Sequence, residues 1–169
     1  LSDVMEITLE ANPDDITLTK LQSLGAVGIN RLSIGVQSFQ DSVLRYLNRV
    51  HDSQKAIASV ELARKAGFDN LSIDLMYAIP GANQAIWEAN LATALQLRPE
   101  HIAAYCLTIE KNTVFGHWHE RGKLKIVEEE VAAEQFETLV EVLTTHHYEH
   151  YEVSNFSQPG YHAQHNTNY

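Results

Sequence analysis

The chain has 169 residues, 44% of them apolar and 20% charged, a balance that suits an ordinary globular chain with one sizeable core. Twenty-two acidic against twelve basic side chains leave a net charge of −10, which opposes non-specific attraction to nucleic acid or anionic lipid. No stretch approaches the roughly 18 to 20 continuous apolar residues of a membrane span, and no signal-peptide pattern opens the sequence, so a cytoplasmic protein is expected.

Strand and helix patterns alternate from the start to about position 107, the βαβ pattern of a parallel sheet. The first strand is predicted over about residues 6–10, followed by a helix that Thr17 caps, that carries Leu18, Leu21 and Leu24, and that Gly25 ends. A second strand is predicted over 31–37, then a short helical piece around 43–47, then a helix capped by Asp52 or Ser53 with Ile57, Val60 and Ala63 on one face and Gly67 beyond its end. A third strand covers about 70–75, a helix 85–97 stops before Pro99, and a fourth strand spans about 101–107. The alternation then breaks. A loop leads to a helix over about 128–145 with Ala132, Phe136, Leu139, Val140 and Leu143 in one stripe, and residues 150–153 read as a last strand.

Side chains alternate between the faces of a strand. Leu32, Ile34 and Val36 therefore oppose Ser33, Gly35 and Gln37, and Leu71, Ile73 and Leu75 oppose Asn70, Ser72 and Asp74. Ile7 and Leu9 oppose Glu6, Thr8 and Glu10; in the fourth strand, weakly, Tyr105 and Leu107 oppose Ala104, Cys106 and Thr108. The greasy face belongs under crossover helices. A closed eight-stranded barrel fills its interior with bulky branched residues, which these polar and small ones could not do. A wide, open α/β barrel around a polar ligand is expected.

Glu10, Gln37, Asp74 and Thr108 fall at or near the carboxyl ends of their strands, where α/β folds place ligand chemistry. Any one alone reads as a polar residue satisfying local backbone; four together favour a site. Cys106 is the single cysteine. It excludes an intrachain disulfide and a cysteine-ligated cluster held by this chain alone, and inside a strand it reads as a small buried hydrophobe.

The blocks Ile7-Thr-Leu-Glu-Ala-Asn-Pro13, Asn30-Arg-Leu-Ser-Ile-Gly-Val-Gln-Ser-Phe39 and Leu47-Asn-Arg49 resemble the radical S-adenosylmethionine (SAM) barrel of the oxygen-independent coproporphyrinogen oxidase family. The resemblance continues through Asn70-Leu-Ser-Ile-Asp-Leu-Met-Tyr77, Pro80-Gly81 and Pro99-Glu-His-Ile, and covers essentially the whole chain. Ala78 departs from the family's usual glycine after that tyrosine. The resemblance implies that Glu10, Gln37, Arg49, Asp74 and, more loosely, Thr108 grip SAM. The chemistry suits the ligand, since Arg49 can fork onto the methionyl carboxylate while carboxylates and Gln37 serve the ammonium and ribose hydroxyls. Which carboxylate takes the ammonium is left open, and Arg49 by itself reads equally as a surface arginine at a helix end.

The family also implies a [4Fe–4S] cluster held by a C-x3-C-x2-C loop, and no such loop lies in this sequence. By the family's order it belongs upstream of Leu1, so the chain is expected to be a piece of a longer protein, inactive alone and prone to self-association through the sheet edge at residues 6–10. Residues 1–113 are expected to be a partial barrel and 114–169 the start of a C-terminal extension.

His165-Asn-Thr-Asn-Tyr169 matches the HNxxY signature of the family's heme-chaperone branch, and Tyr148-Glu-His-Tyr-Glu-Val-Ser-Asn-Phe156 and Leu107-Thr-Ile-Glu-Lys-Asn-Thr113 point the same way. That branch implies heme and heme-acceptor proteins, membrane-associated ones among them, as partners and His165 as a candidate heme ligand, with a structural role in its loop as the alternative. The enzyme alternative is oxidative decarboxylation of coproporphyrinogen III, and an unrelated barrel hydrolase or isomerase is a third class. Five of the nine histidines lie between His146 and His165. For His146, His147 and His150 a place beside a helix C-terminus is the simpler reading than metal ligation.

Overall fold

The structure is a computed structural model that describes residues 5–110, 116–117, 120–122, 124 and 126–164. A six-stranded sheet runs in the order β1-β2-β3-β4-β6-β5, with β1 Thr8–Ala11, β2 Arg31–Gln37, β3 Leu71–Tyr77, β4 His101–Cys106, β5 Glu149–Glu152 and β6 Asn155–Ser157. The first four strands pair in parallel in sequence order, and β6 and β5 add on antiparallel. The sheet is open, with the mostly parallel α/β architecture that the alternating pattern predicts.

Each crossover supplies a helix. Thr17 Oγ1 accepts from Lys20 N at the start of α1 (Leu18–Ala26), and Asp52 Oδ1 accepts from Lys55 N at the start of α3 (Ser53–Lys65), as the sequence predicts. Between them α2 is short, Asp41–Tyr46. Asn83 Oδ1 caps α4 (Gln84–Leu97) through Ile86 N, and α5 is Glu129–Thr145. Gly25 does not end α1 as expected. The helix continues one residue further, and Gly28 takes the left-handed backbone (φ 97°) that turns the chain toward β2.

The core lies on one face of the sheet. Leu32, Ile34 and Val36 of β2 and Leu71, Ile73 and Leu75 of β3 are completely buried, packed against α3, α4 and α5 through Val60, Trp87, Leu139 and Leu143. The two-residue alternation seen in the sequence thus becomes a helix-covered face and an uncovered polar one. Residues 150–153 were expected to form a single last strand; instead β5 and β6 form a hairpin, and Phe156 of β6 is fully buried in the core. No helix among the described residues is long and apolar enough to cross a membrane.

Candidate functional site

The uncovered face is the wall of a polar cavity of about 600 Å³. Parallel pairing stacks its residues in rows: Glu10 beside Ser33 beside Ser72 beside His101, then Asp74 beside Ala103 one row nearer the carboxyl ends. All six line the cavity, with Thr8, Arg31 and Tyr105.

Toward the carboxyl ends, Ser33 Oγ donates to Asp74 Oδ1 at 3.1 Å. Burial, opposed by that hydrogen bond and reinforced by the Glu10 charge, pushes the Asp74 carboxyl up to about 6. Beside it the strand surface drops away at Gly35, and Arg49 reaches into the gap. Its Nη2 donates to Asn12 Oδ1 at 2.7 Å and to Gly35 O at 3.2 Å. Gln37 sits at a register shift of β2 with a left-handed backbone, φ 65°. This folds its Nε2 back to within 3.2 Å of where a Gly35 Cβ would lie. The turn after it is held by buried polar groups on two neighbouring segments. His51 Nε2 lies 3.1 Å from Val36 O, and Asn90 Oδ1 accepts from Phe39 N and Ser38 Oγ.

Toward the amino ends, Arg31 is buried, with Nη1 donating to Thr8 Oγ1 at 3.4 Å and Nε 3.9 Å from Glu6 Oε2. His101 Nδ1 lies 2.8 Å from Ser72 Oγ and His101 Nε2 lies 2.7 Å from Tyr151 Oη. Burial first, and then the Arg31 charge, push His101 down to about 3, so its ring is neutral near neutral pH. One ring nitrogen then donates and the other accepts. Tyr151 Oη also accepts from Ala163 N at 3.3 Å. Residues 163 and 164 thereby line this end of the cavity, with Gln164 N donating to Glu6 Oε2.

Of the residues singled out in the sequence, Glu10 and Asp74 face the cavity directly. Arg49 borders a different cleft with Asn12, Asp14 and Asp15, yet its charge acts on Asp74; Gln37 lines neither cleft. Thr108 is exposed beyond the end of β4 and does not line the cavity. His165 lies outside the described residues. The expected facing of β4 is reversed, because Ala104 is buried in the core while Tyr105 looks into the cavity. Cys106 is likewise exposed at the strand's end rather than buried. Arg31, His101 and Asn12 were not picked out from the sequence. Counting the fourth strand in twos from His101 would have found that residue and Tyr105 together.

Three of the described C-terminal histidines, His146, His150 and His162, make local contacts. His146 Nδ1 lies 2.8 Å from Val142 O at the end of α5, His150 stacks on Phe156 at 4.2 Å, and His162 pairs with Glu149 at 2.7 Å. Among the described residues no group of three or more His, Cys, Asp or Glu side chains is placed to hold a metal ion.

The sequence profile described as the radical SAM superfamily matches residues 1–92. The chain belongs to the radical SAM superfamily. Heme chaperone HemW of Bacillus subtilis (strain 168) is 40% identical over 168 residues, which is 99% of this chain and 44% of that protein. Heme chaperone HemW of Escherichia coli (strain K12) is 39% identical over 166 residues, covering 97% of this chain and 42% of that protein. Among solved structures, the radical SAM enzyme coproporphyrinogen III oxidase (HemN) of Escherichia coli superposes with a TM-score of 0.80 at 28% identity, covering 92% of this chain and 36% of that one. The chain thus spans a little over two fifths of the length of these curated relatives. The superfamily implies SAM and a [4Fe–4S] cluster. With Cys106 as the single cysteine of the sequence, these residues do not fit the cluster.

Proposed function

We propose that this radical SAM chain belongs to a heme chaperone, a protein that binds heme and passes it to acceptor proteins. The observation that carries this reading is the extent of the likeness: relatives named heme chaperone align over 97% and 99% of the chain at 39% and 40% identity. The oxidase structure aligns at 28%. A cytoplasmic location goes with the reading.

SAM is assigned to the carboxyl ends of the strands because the donor set there suits it. Arg49 would take the methionyl carboxylate, and Glu10, Asp74 and Gln37 would serve the ammonium and the ribose. Thr108 is the outlying member of the set. Arg49 reaches the region while hydrogen-bonding only neutral oxygens among the described residues, which leaves its charge for the ligand. When bound, SAM would supply a sulfonium and an amino-acid head; this chain's residues hold and orient it. His165 would contribute to heme binding, imidazole being an ordinary axial ligand.

Heme titration of the full-length protein, paired with an assay of coproporphyrinogen turnover, tests the reading. Heme binding that His165→Ala weakens or spectrally alters, with SAM affinity little changed, is the expected result. Decarboxylation without heme binding would overturn it in favour of oxygen-independent coproporphyrinogen oxidation. Heme binding indifferent to His165→Ala would keep the chaperone and remove only the ligand assignment.

A further inference from the structure

Asn12 directly precedes Pro13 at the N-cap of a short 3-10 helix, Pro13–Asp15. An asparagine there ordinarily turns its side-chain oxygen onto the helix's free N–H groups. This one makes no such bond. Its Oδ1 points across the strand ends and accepts from Arg49 Nη2 at 2.7 Å, the shorter of that guanidinium's two hydrogen bonds.

The space in which they meet is opened by Gly35. A Cβ on Gly35 would lie 3.2 Å from Gln37 Nε2, 3.5 Å from Arg49 Nη2 and 3.8 Å from Asn12 Oδ1. Three polar groups from three segments thus converge above one residue without a side chain. The partner chemistry is as telling as the geometry. Carboxylates are at hand, since Asp14 and Asp15 border the same cleft as Arg49, yet Arg49 forms no ion pair among the described residues. Asp14 is instead turned toward His51, with Oδ2 3.8 Å from Nδ1. A guanidinium fixed by a neutral amide and a backbone carbonyl keeps its direction and a charge that no direct ion pair among the described residues neutralises.

We propose that Asn12 is a positioning residue: it aims Arg49 at the anionic group of the ligand while withholding the negative charge that would neutralise it. The inference rests on the assignment of Arg49 to the SAM carboxylate and extends it to the neutral acceptor behind it.

Asn12→Asp is the discriminating change, because aspartate is as good an N-cap as asparagine and nearly the same shape. If Asn12 served only the local fold, the variant would behave as wild type. If it positions an Arg49 that no direct ion pair neutralises, the new carboxylate pairs with the guanidinium and competes with the ligand's own. Calorimetry on the full-length, cluster-reconstituted protein should then show SAM binding weakened by about tenfold, the loss of one charge-assisted contact. Decarboxylated SAM, which lacks the competing group, should bind wild type and variant within about twofold of each other. Equal SAM affinity, or an equal loss with both ligands, overturns the proposal. Should Asn12→Asp not fold, Asn12→Ser, which retains a capping oxygen but lacks the reach to Arg49, is read against the same two ligands, with a SAM-selective loss expected. Arg49→Ala separates the positioning role of Asn12 from the SAM site itself. If it leaves SAM affinity unchanged, the assignment of the SAM site falls. If it weakens SAM while the Asn12 variants do not, the positioning role alone falls.

Discussion

Ser33 Oγ donates a 3.1 Å hydrogen bond to Asp74 Oδ1 across the polar face from β2 to β3, the only side-chain hydrogen bond to that carboxylate among the described residues. It does not outweigh burial, and the carboxyl is raised to about 6 from an ordinary 3.8. A carboxyl whose folded value exceeds its unfolded one stabilises the fold fully below the unfolded value and loses that contribution as pH rises through the folded one. Asp74 should therefore weaken the protein between about pH 4 and pH 6, by on the order of 3 kcal/mol. Denaturant melts across that window should show Asp74→Asn gaining on wild type as pH rises. Ser33→Ala should push the carboxyl higher still. Parallel curves for Asp74→Asn and wild type would show that the carboxyl titrates normally.

Gln135 joins α5 to the turn after β3. Its Oε1 accepts from Ala78 N at 2.7 Å, and its backbone oxygen accepts from Trp87 Nε1 at 2.8 Å. Ala78 is buried with a left-handed backbone, φ 56°, so no neighbouring strand takes that N–H. Gln135→Ala leaves a buried donor unpaired and should cost about 1 to 3 kcal/mol in urea unfolding. Gln135→Glu should cost less while its carboxyl is protonated, when it still accepts from Ala78 N and can donate toward Ala82 O as the amide does. A neutral effect of the alanine would mean that water replaces the amide.

The strands that could be read from the sequence are those whose alternation is sharp. Leu-Ser-Ile-Gly-Val-Gln and Leu-Ser-Ile-Asp-Leu each set bulky aliphatics against small or polar residues, and both faces came out as they were read. In β4 the contrast fails, because Ala103 and Ala104 are alike and Tyr105 is apolar in composition yet turned to the cavity. The strand β6 is three residues long and exists through antiparallel pairing to β4 some fifty residues earlier; no local pattern announces a long-range pairing. The same limit applies to the site. Glu10 and Asp74 are visible as polar strand ends, whereas Asn12 and Arg49 are 37 residues apart and meet only because Gly35 leaves room. The left-handed turn of Gln37 depends on His51 and Asn90, and no single segment encodes it.

His101 titrates in the opposite sense to Asp74. Its folded value is lowered to about 3, so its contribution is present above the ordinary histidine value near 6.5 and is lost as pH falls toward 3. Wild-type stability should therefore decline on acidification below about pH 6.5, by on the order of 5 kcal/mol from this group once pH falls below about 3. His101→Gln, uncharged at every pH, should flatten that decline, and thermal midpoints taken at matched pH values would reveal it. Because the windows of His101 and Asp74 overlap between about pH 4 and 6, only wild-type-minus-variant differences separate them. An imidazole titrating near pH 6.5 by NMR would remove the basis of the prediction.

Tyr151 links the sheet to the segment that leads into the HNxxY motif. Its hydroxyl meets His101 Nε2 at 2.7 Å and accepts from Ala163 N at 3.3 Å, while its ring stacks on His162 at 4.3 Å. Tyr151→Phe keeps the stacking and deletes these two hydroxyl contacts. Ala163 N and the buried His101 ring then lose a partner together, at a cost of about 1 to 3 kcal/mol. The loss should be local as well as global. Amide exchange at Ala163 should accelerate more than exchange in β2 or β3, because the terminal segment loses an anchor while the core stays packed. In the full-length protein, heme affinity should fall with Tyr151→Phe if this anchor sets the position of His165. SAM affinity should hold, since Arg49 and Asn12 lie at the opposite ends of the strands. Uniformly faster exchange throughout the sheet would instead mean that Tyr151 supports the whole fold and not the placement of this segment.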